Sequence, residues 1–184
     1  MQAMNRKRDQ RGREVVLDNL VKEHGWAIGA ELGVWKGRVY TYLIKNNPNL
    51  TLIGVDIYES QPENQTLLSQ ETYTDKGMWD HEKYYQGLLR FQSKYPERAK
   101  FIRDYTNNAV NQIEDKSLDF IFIDADHSEK GVRDDITNWL PKIKDEGWIT
   151  GHDIDWKTVK KVVDELLPNY EVYSDNVWAR PKIL

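Results

Sequence analysis

Apolar positions along the chain alternate between two periods, and the order of the alternation predicts the fold. Val15, Val16, Leu20 and Val21 recur at helical spacing within 10–24, and the apolar run 26–32 reads as a short buried strand. The glycine-bounded stretch 33–37 is a turn. A helix is predicted over 38–45, with Val39, Leu43 and Ile44 on one side, and Asn46-Asn47-Pro48-Asn49 ends it before a second strand at 51–57. Next come a helix at 81–95, a short strand at 101–103, a brief helix at 109–113 and the near-continuous apolar run 118–123. Unbroken apolarity of that kind belongs to a strand buried on both faces. A helix is predicted over 130–144 on Val132, Ile136, Trp139 and Leu140, a strand from 147–150, and another helix on Val159, Val162, Val163 and Leu166. Residues 170–173 and 177–179 then alternate like hairpin arms around Ser174-Asp175-Asn176. Strand and helix in this order imply an α/β fold: a doubly wound, mainly parallel sheet, helices on both faces, and an antiparallel C-terminal hairpin.

Composition narrows this to one domain with a real core, since the 184 residues are 39% hydrophobic. The formal net charge of −4 gives no global attraction to nucleic acid or to an anionic membrane. Absence of cysteine excludes disulfides, thiolate nucleophiles and sulfur-ligated metals. The longest apolar run is strand-sized and the first 13 residues are too polar for a signal peptide, so a cytoplasmic protein with no membrane partner is expected. Residues 1–25 are expected to form an N-terminal helical segment. The polar stretch 58–80 fits no element; its aromatics at the far end suggest a lid, and a disordered insertion is the plainer alternative.

Ligands of such a sheet bind beyond the carboxyl ends of its strands. The first end carries glycines at 29, 33 and 37 with Glu31 between them, unlike the G-x-G-x-x-G that cradles a pyrophosphate, and Glu31 would repel a phosphate. A phosphate-free nucleoside suits it better, although glycines that merely form turns would look similar. Asp56 closes the second strand, where one carboxylate can accept from both hydroxyls of a ribose. The third and fourth ends bring Asp124, Asp126 and His127, and then His152 and Asp153, to one edge. These are candidate metal ligands and proton acceptors. Asp126 and Ser128 could equally cap the helix that follows. A carboxylate directly after a wholly apolar strand, as at Asp124, is costly unless it is paired or bound.

The runs Glu31-Leu32-Gly33 with Gly37, Gly54-Val55-Asp56-Ile57, 117–128 and 147–154 together resemble the class I S-adenosylmethionine-dependent methyltransferases. They are most similar to the branch that holds the metal-dependent catechol and caffeoyl-CoA O-methyltransferases and bacterial small-molecule O-methyltransferases. The resemblance implies a single Rossmann-like methyltransferase domain over 1–184 and S-adenosylmethionine as cofactor. It places Glu31, Gly33 and Gly37 at the cofactor's amino-acid end, Asp56 at its ribose, and Tyr105 with Thr106 at its adenine end. Trp35 stands where many relatives have a small residue, and its indole is expected to pack on the cofactor; Asp126 is a further candidate contact. Asp124, His152 and Asp153 match the family's metal ligands, and His127 falls where catechol-type enzymes place a lysine base. The expected divalent ion is magnesium or manganese. His152 departs from the usual all-oxygen pair and shifts the preference from magnesium toward manganese, iron or zinc. Asp124 and His127 are thus the catalytic candidates, and the expected partner is a small hydroxylated acceptor. Two other readings compete. One is a nucleic-acid-binding or nucleic-acid-modifying protein using Arg6, Lys7, Arg8, Arg11 and Arg13; the other is a cofactor-binding module without transferase activity. A homodimer through the first helix is also considered.

Overall fold

The computed structural model describes residues 12–59 and 80–183. In chain order the elements are α1 (Arg13–His24), β1 (Ile28–Leu32), α2 (Arg38–Asn46), β2 (Thr51–Val55), α3 (His81–Gln92), β3 (Ala99–Ile102), α4 (Thr106–Ala109), β4 (Leu118–Ile123), α5 (Glu129–Trp139), β5 (Ile143–Gly151), α6 (Lys157–Leu166), β6 (Glu171–Val172) and β7 (Trp178–Pro181). The seven strands form one sheet in the order β3-β2-β1-β4-β5-β7-β6. The first five are parallel, and β7 pairs antiparallel with β5 and β6. The strand order reverses between β1 and β4, the position at which such sheets open a ligand crevice. The expected doubly wound sheet with its closing hairpin is therefore present.

Each face of the sheet carries its own core. Val16, Leu17, Leu20 and Val21 of α1 pack with Val39, Tyr40, Leu43 and Ile44 of α2 and with Leu88 of α3. Helices α4, α5 and α6 cover the other face through Ala109, Val132, Ile136, Trp139, Val159 and Val162. Strand β4 feeds both, with Phe120 and Phe122 entering the first core and Ile121 and Ile123 the second. An irregularity in its pairing with β5 lies between Leu118 and Phe120 and lets Leu118 join Ile121 rather than Phe120. The Asp119 carboxylate uses the break to accept the Ala27 and Ile28 N–H groups at 2.7 and 2.9 Å.

Several boundaries differ from the sequence reading, and the two largest differences adjoin. The helix expected over 130–144 ends at Trp139 and is followed by a single 3₁₀ turn, Leu140–Lys142, that holds Pro141. Strand β5 accordingly begins at Ile143, four residues before the expected Gly147. The expected lid, 58–80, lies almost wholly outside the described residues, as do Arg6, Lys7, Arg8 and Arg11. Among the described residues no helix is long and apolar enough to cross a membrane.

Candidate active site

The crevice is built from the loops that leave β1, β2, β4 and β5. After β1 the chain must turn sharply while touching the end of β4. Gly33 manages this at φ 86°, where a Cβ would lie 2.1 Å from the Asp124 carbonyl oxygen. Its N–H donates to the Val55 carbonyl, and the Asp124 N–H to the Leu32 carbonyl, which ties three strand ends together. Gly37, at φ 73°, caps the start of α2 against Leu88. Of the seven described non-glycine residues in the left-handed backbone region, three follow parallel strands at this edge: Trp35 (φ 47°), Tyr58 (φ 53°) and Asp153 (φ 54°). Strain of this kind gathers at ligand sites.

On the β1–β2 side Glu31 is 2% exposed, and its Oε2 is buried with no hydrogen-bond partner. Burial, with the negative charges of Asp124 and Asp56 behind it, holds its carboxyl well above the usual range, against the opposing pull of Arg13. The Tyr58 hydroxyl is likewise buried and unpartnered, and burial followed by the nearby carboxylates pushes it up. Asp56 accepts the Trp35 N–H at 2.8 Å on one oxygen and the Tyr58 N–H at 2.7 Å on the other. A carboxylate oxygen has capacity beyond one such bond, so Asp56 is positioned and still able to accept. Trp35 is 41% exposed, with the Lys36 ammonium 4.0 Å from its ring centroid. The orphaned acid, the half-buried acid and the backbone cradle form a half of the site that is rich in acceptors.

On the β4–β5 side four side chains meet. His127 Nε2 lies 2.7 Å from Asp153 Oδ2 and 3.7 Å from Asp124 Oδ1. His152 Nδ1 lies 3.0 Å from Asp153 Oδ1 and 3.6 Å from Asp124 Oδ1. Burial pulls both imidazoles down, but the two carboxylates outweigh it and push His127 up to about 10 and His152 up to about 9. Burial raises Asp124 and Asp153, yet the histidines overcome this and hold both carboxyls below the ordinary range. His127 is thus charged at neutral pH in this arrangement, whereas its ordinary value would leave it mostly neutral. Candidate ligand atoms of Asp124, His152 and Asp153 lie within 4.8 Å of one another, a spacing that suits one cation. Two carboxylates and an imidazole are a fitting donor set for a divalent transition ion.

The other candidates occupy the rim. Tyr105 is 52% exposed and precedes α4; the Thr106 carbonyl accepts the Trp139 indole N–H at 3.2 Å. Asp126 does not cap α5 itself. Ser128 does so, accepting the Gly131 N–H at 3.0 Å, while both oxygens of Asp126 accept from Ser128 at 2.8 and 3.0 Å.

Three residues in or beside the site escaped the sequence reading. Arg13, there grouped with a basic tail, turns inward: its Nε lies 3.5 Å from Asp124 Oδ2 and its guanidinium touches the His152 ring. Tyr58 was assigned only to the start of the lid. Asp135 is a buried acid on α5 whose carboxyl is pushed up to about 7, chiefly by burial. Its spacing with Val132, Ile136 and Trp139 was a legible signal that it faces the core.

A family model described as a methyltransferase domain matches residues 30–154. Among solved structures, the O-methyltransferase NovP superposes with a TM-score of 0.66 at 15% identity, over 94% of this chain and 80% of that one. An O-methyltransferase from Bacillus cereus in complex with SAH gives 0.62 at 14% identity, over 91% of this chain and 79% of that one. A SAH-bound methyltransferase from Podospora anserina gives 0.63 at 14% identity, over 91% and 76%. At these identities the likeness is one of fold. Among curated proteins, an uncharacterized protein of Sinorhizobium fredii is 28% identical over 72 residues, which is 39% of this chain and 8% of that protein's length.

Proposed function

The chain belongs to the methyltransferase-domain family and has the class I S-adenosylmethionine-dependent fold, and from that membership we propose a metal-assisted O-methyltransferase acting on a small hydroxylated molecule. One observation carries this reading. A buried carboxylate with an unpartnered oxygen, Glu31, and a cluster able to hold a hydroxyl, Asp124, His127 and Asp153, open on the same edge of adjacent strands.

When bound, S-adenosylmethionine supplies an electrophilic methyl on its sulfonium; the acceptor oxygen takes the methyl, its proton leaves, and a neutral thioether remains. Glu31 binds the cofactor's ammonium; burial disfavours its charge in the empty site, and the arriving cation favours ionisation. Asp56, oriented by two backbone N–H groups, accepts from the ribose. Gly33, Trp35 and Gly37 wall the amino-acid end, and Tyr105, Thr106 and Asp126 flank the adenine end. His127 handles the proton. Asp124 and Asp153 orient its Nε2, and it can take the acceptor's proton once its own has gone to solvent. Asp124, His152 and Asp153 would hold a divalent ion, which would supply a Lewis acid for the acceptor's hydroxyl, and the imidazole would favour manganese, iron or zinc over magnesium. Two neighbouring oxygens on the acceptor, as in a catechol or vicinal diol, suit such a centre.

Calorimetry with S-adenosylmethionine and S-adenosylhomocysteine, paired with methyl transfer to a panel of catechols, phenols and sugars, tests the reading. Asp124→Ala and His127→Ala should bind cofactor within about threefold of the parent, since neither makes a direct contact with it, and lose product. A parent protein that binds neither cofactor form would sink the assignment. Variants that keep full turnover would remove Asp124 and His127 from the chemistry.

A further inference from the structure

We infer that Arg13 is the resident counter-ion of the Asp124–His152–Asp153 cluster and competes with a divalent ion for it. This rests on the metal-assisted reading above. Arg13 is the first residue of α1, and a cation there opposes the helix dipole, so its position is not explained by helix stability. Its guanidinium instead enters the crevice. Nε lies 3.5 Å from Asp124 Oδ2, and Nη1 lies 3.2 and 3.3 Å from the two ring nitrogens of His152. Equal approach to two nitrogens on one ring means that Nη1 points along the lone pair of neither. Arg13 Nε, moreover, is buried with no hydrogen-bond partner.

The cation is therefore held by proximity to negative charge and not by a bidentate bond, the arrangement that makes arginine pairs hard to break. Its backbone is fixed independently: Asp175 accepts the Arg13 N–H at 2.7 Å, and Val16, Leu17, Leu20 and Val21 anchor the helix in the core. The side chain, 25% exposed, takes no part in these anchors, so its displacement need not move α1. An ion using Asp124 and His152 must displace the guanidinium or share its charge field. Arg13 thus sets how strongly the centre binds metal.

The test is manganese binding to the full chain, followed by electron paramagnetic resonance of the free ion and by calorimetry, with no acceptor or cofactor. Arg13→Met keeps the aliphatic stem and removes the charge; it should tighten binding by at least about tenfold, since a positive charge is lost from a few ångströms away. Arg13→Lys, which keeps the charge as a more compact and shorter-reaching group, should fall between, and it carries the test if thermal melting shows the Met variant to be unfolded. Adding Asp124→Asn to either variant should abolish the gain, which locates the ion. Equal affinity in the parent and the Arg13 variants, lost with Asp124→Asn, overturns the competition and leaves the metal site standing. No manganese bound by any of these proteins overturns both.

Discussion

Two pairs of carboxylates line the same edge of this sheet and are treated in opposite ways. On the β1–β2 side, Glu31 is buried with an oxygen that has no partner, and Asp56 is bonded by two backbone N–H groups. On the β4–β5 side, Asp124 and Asp153 are surrounded by His127, His152 and Arg13, so every carboxylate there faces a cation. The first pair is left short of positive charge and the second is neutralised from within. A site built in this way draws a cationic cofactor to one half and makes a second cation at the other half compete for its place.

The largest break in that contrast should come from the glycine that joins the two halves. Gly33→Ala puts a Cβ 2.1 Å from the Asp124 carbonyl at φ 86°. It should destabilise the protein by about 3 kcal/mol or more, roughly 10 °C in melting temperature, because backbone and not a flexible side chain must move. A melt within 2 °C of the parent, on the ~1 kcal/mol scale of surface changes, would mean that the halves are not rigidly tied. Asp56→Ala comes next. Loss of two charge-assisted bonds to the ribose should weaken S-adenosylhomocysteine by about 100-fold in calorimetry while leaving manganese affinity unchanged. Parallel loss of both would merge the two halves into one electrostatic unit. Smaller again is Glu31→Gln, which should cut S-adenosylmethionine affinity about tenfold and, because a buried acid that resists ionisation is replaced by a neutral amide, raise the melting temperature of the cofactor-free protein at neutral pH. Lower stability in the variant would show that the pull of Arg13 outweighs the burial of Glu31.

Much of this was readable in the residues because it follows from local rules. Strand β4 was legible as a doubly buried run, and a ligand edge at the carboxyl ends follows from the parallel order, so Glu31, Asp56, Asp124, His127, His152 and Asp153 could all be placed. Arg13 could not. It sits 139 residues from His152 in the chain, and nothing in a run of basic residues says which one turns inward. Strand β5 was misjudged at its start because Lys144-Asp145-Glu146 reads as helix surface, while the structure uses Lys144 to bind Asp119 and lets Ile143 pair with Leu118. Tertiary pairing overrode local propensity there.

Asp135 gives the contrast its control and its smallest expected effect. Like Glu31 it is 2% exposed and has a buried oxygen without a partner, but it lies on α5 beside Thr106 and not at a strand end. Burial is the main cause that pushes its carboxyl up to about 7, with Asp126 and Asp134 adding to the rise and Thr106 and His127 opposing it. An acid whose folded value exceeds its unfolded one holds its proton more tightly in the folded state. Its contribution to stability is fully present below about pH 4 and is lost as the pH rises through 7. Asp135→Asn keeps an acceptor for Thr106 and cannot ionise. The variant should therefore match the parent near pH 3 and gain on it progressively between about pH 4 and 7, by at least about 1 kcal/mol, or roughly 3 °C, at pH 8. Cofactor affinity should not change. If Asp135→Asn weakened S-adenosylmethionine as Glu31→Gln is expected to, burial without a partner would be the common property of both acids, and position at the sheet edge would lose its claim to mark the site.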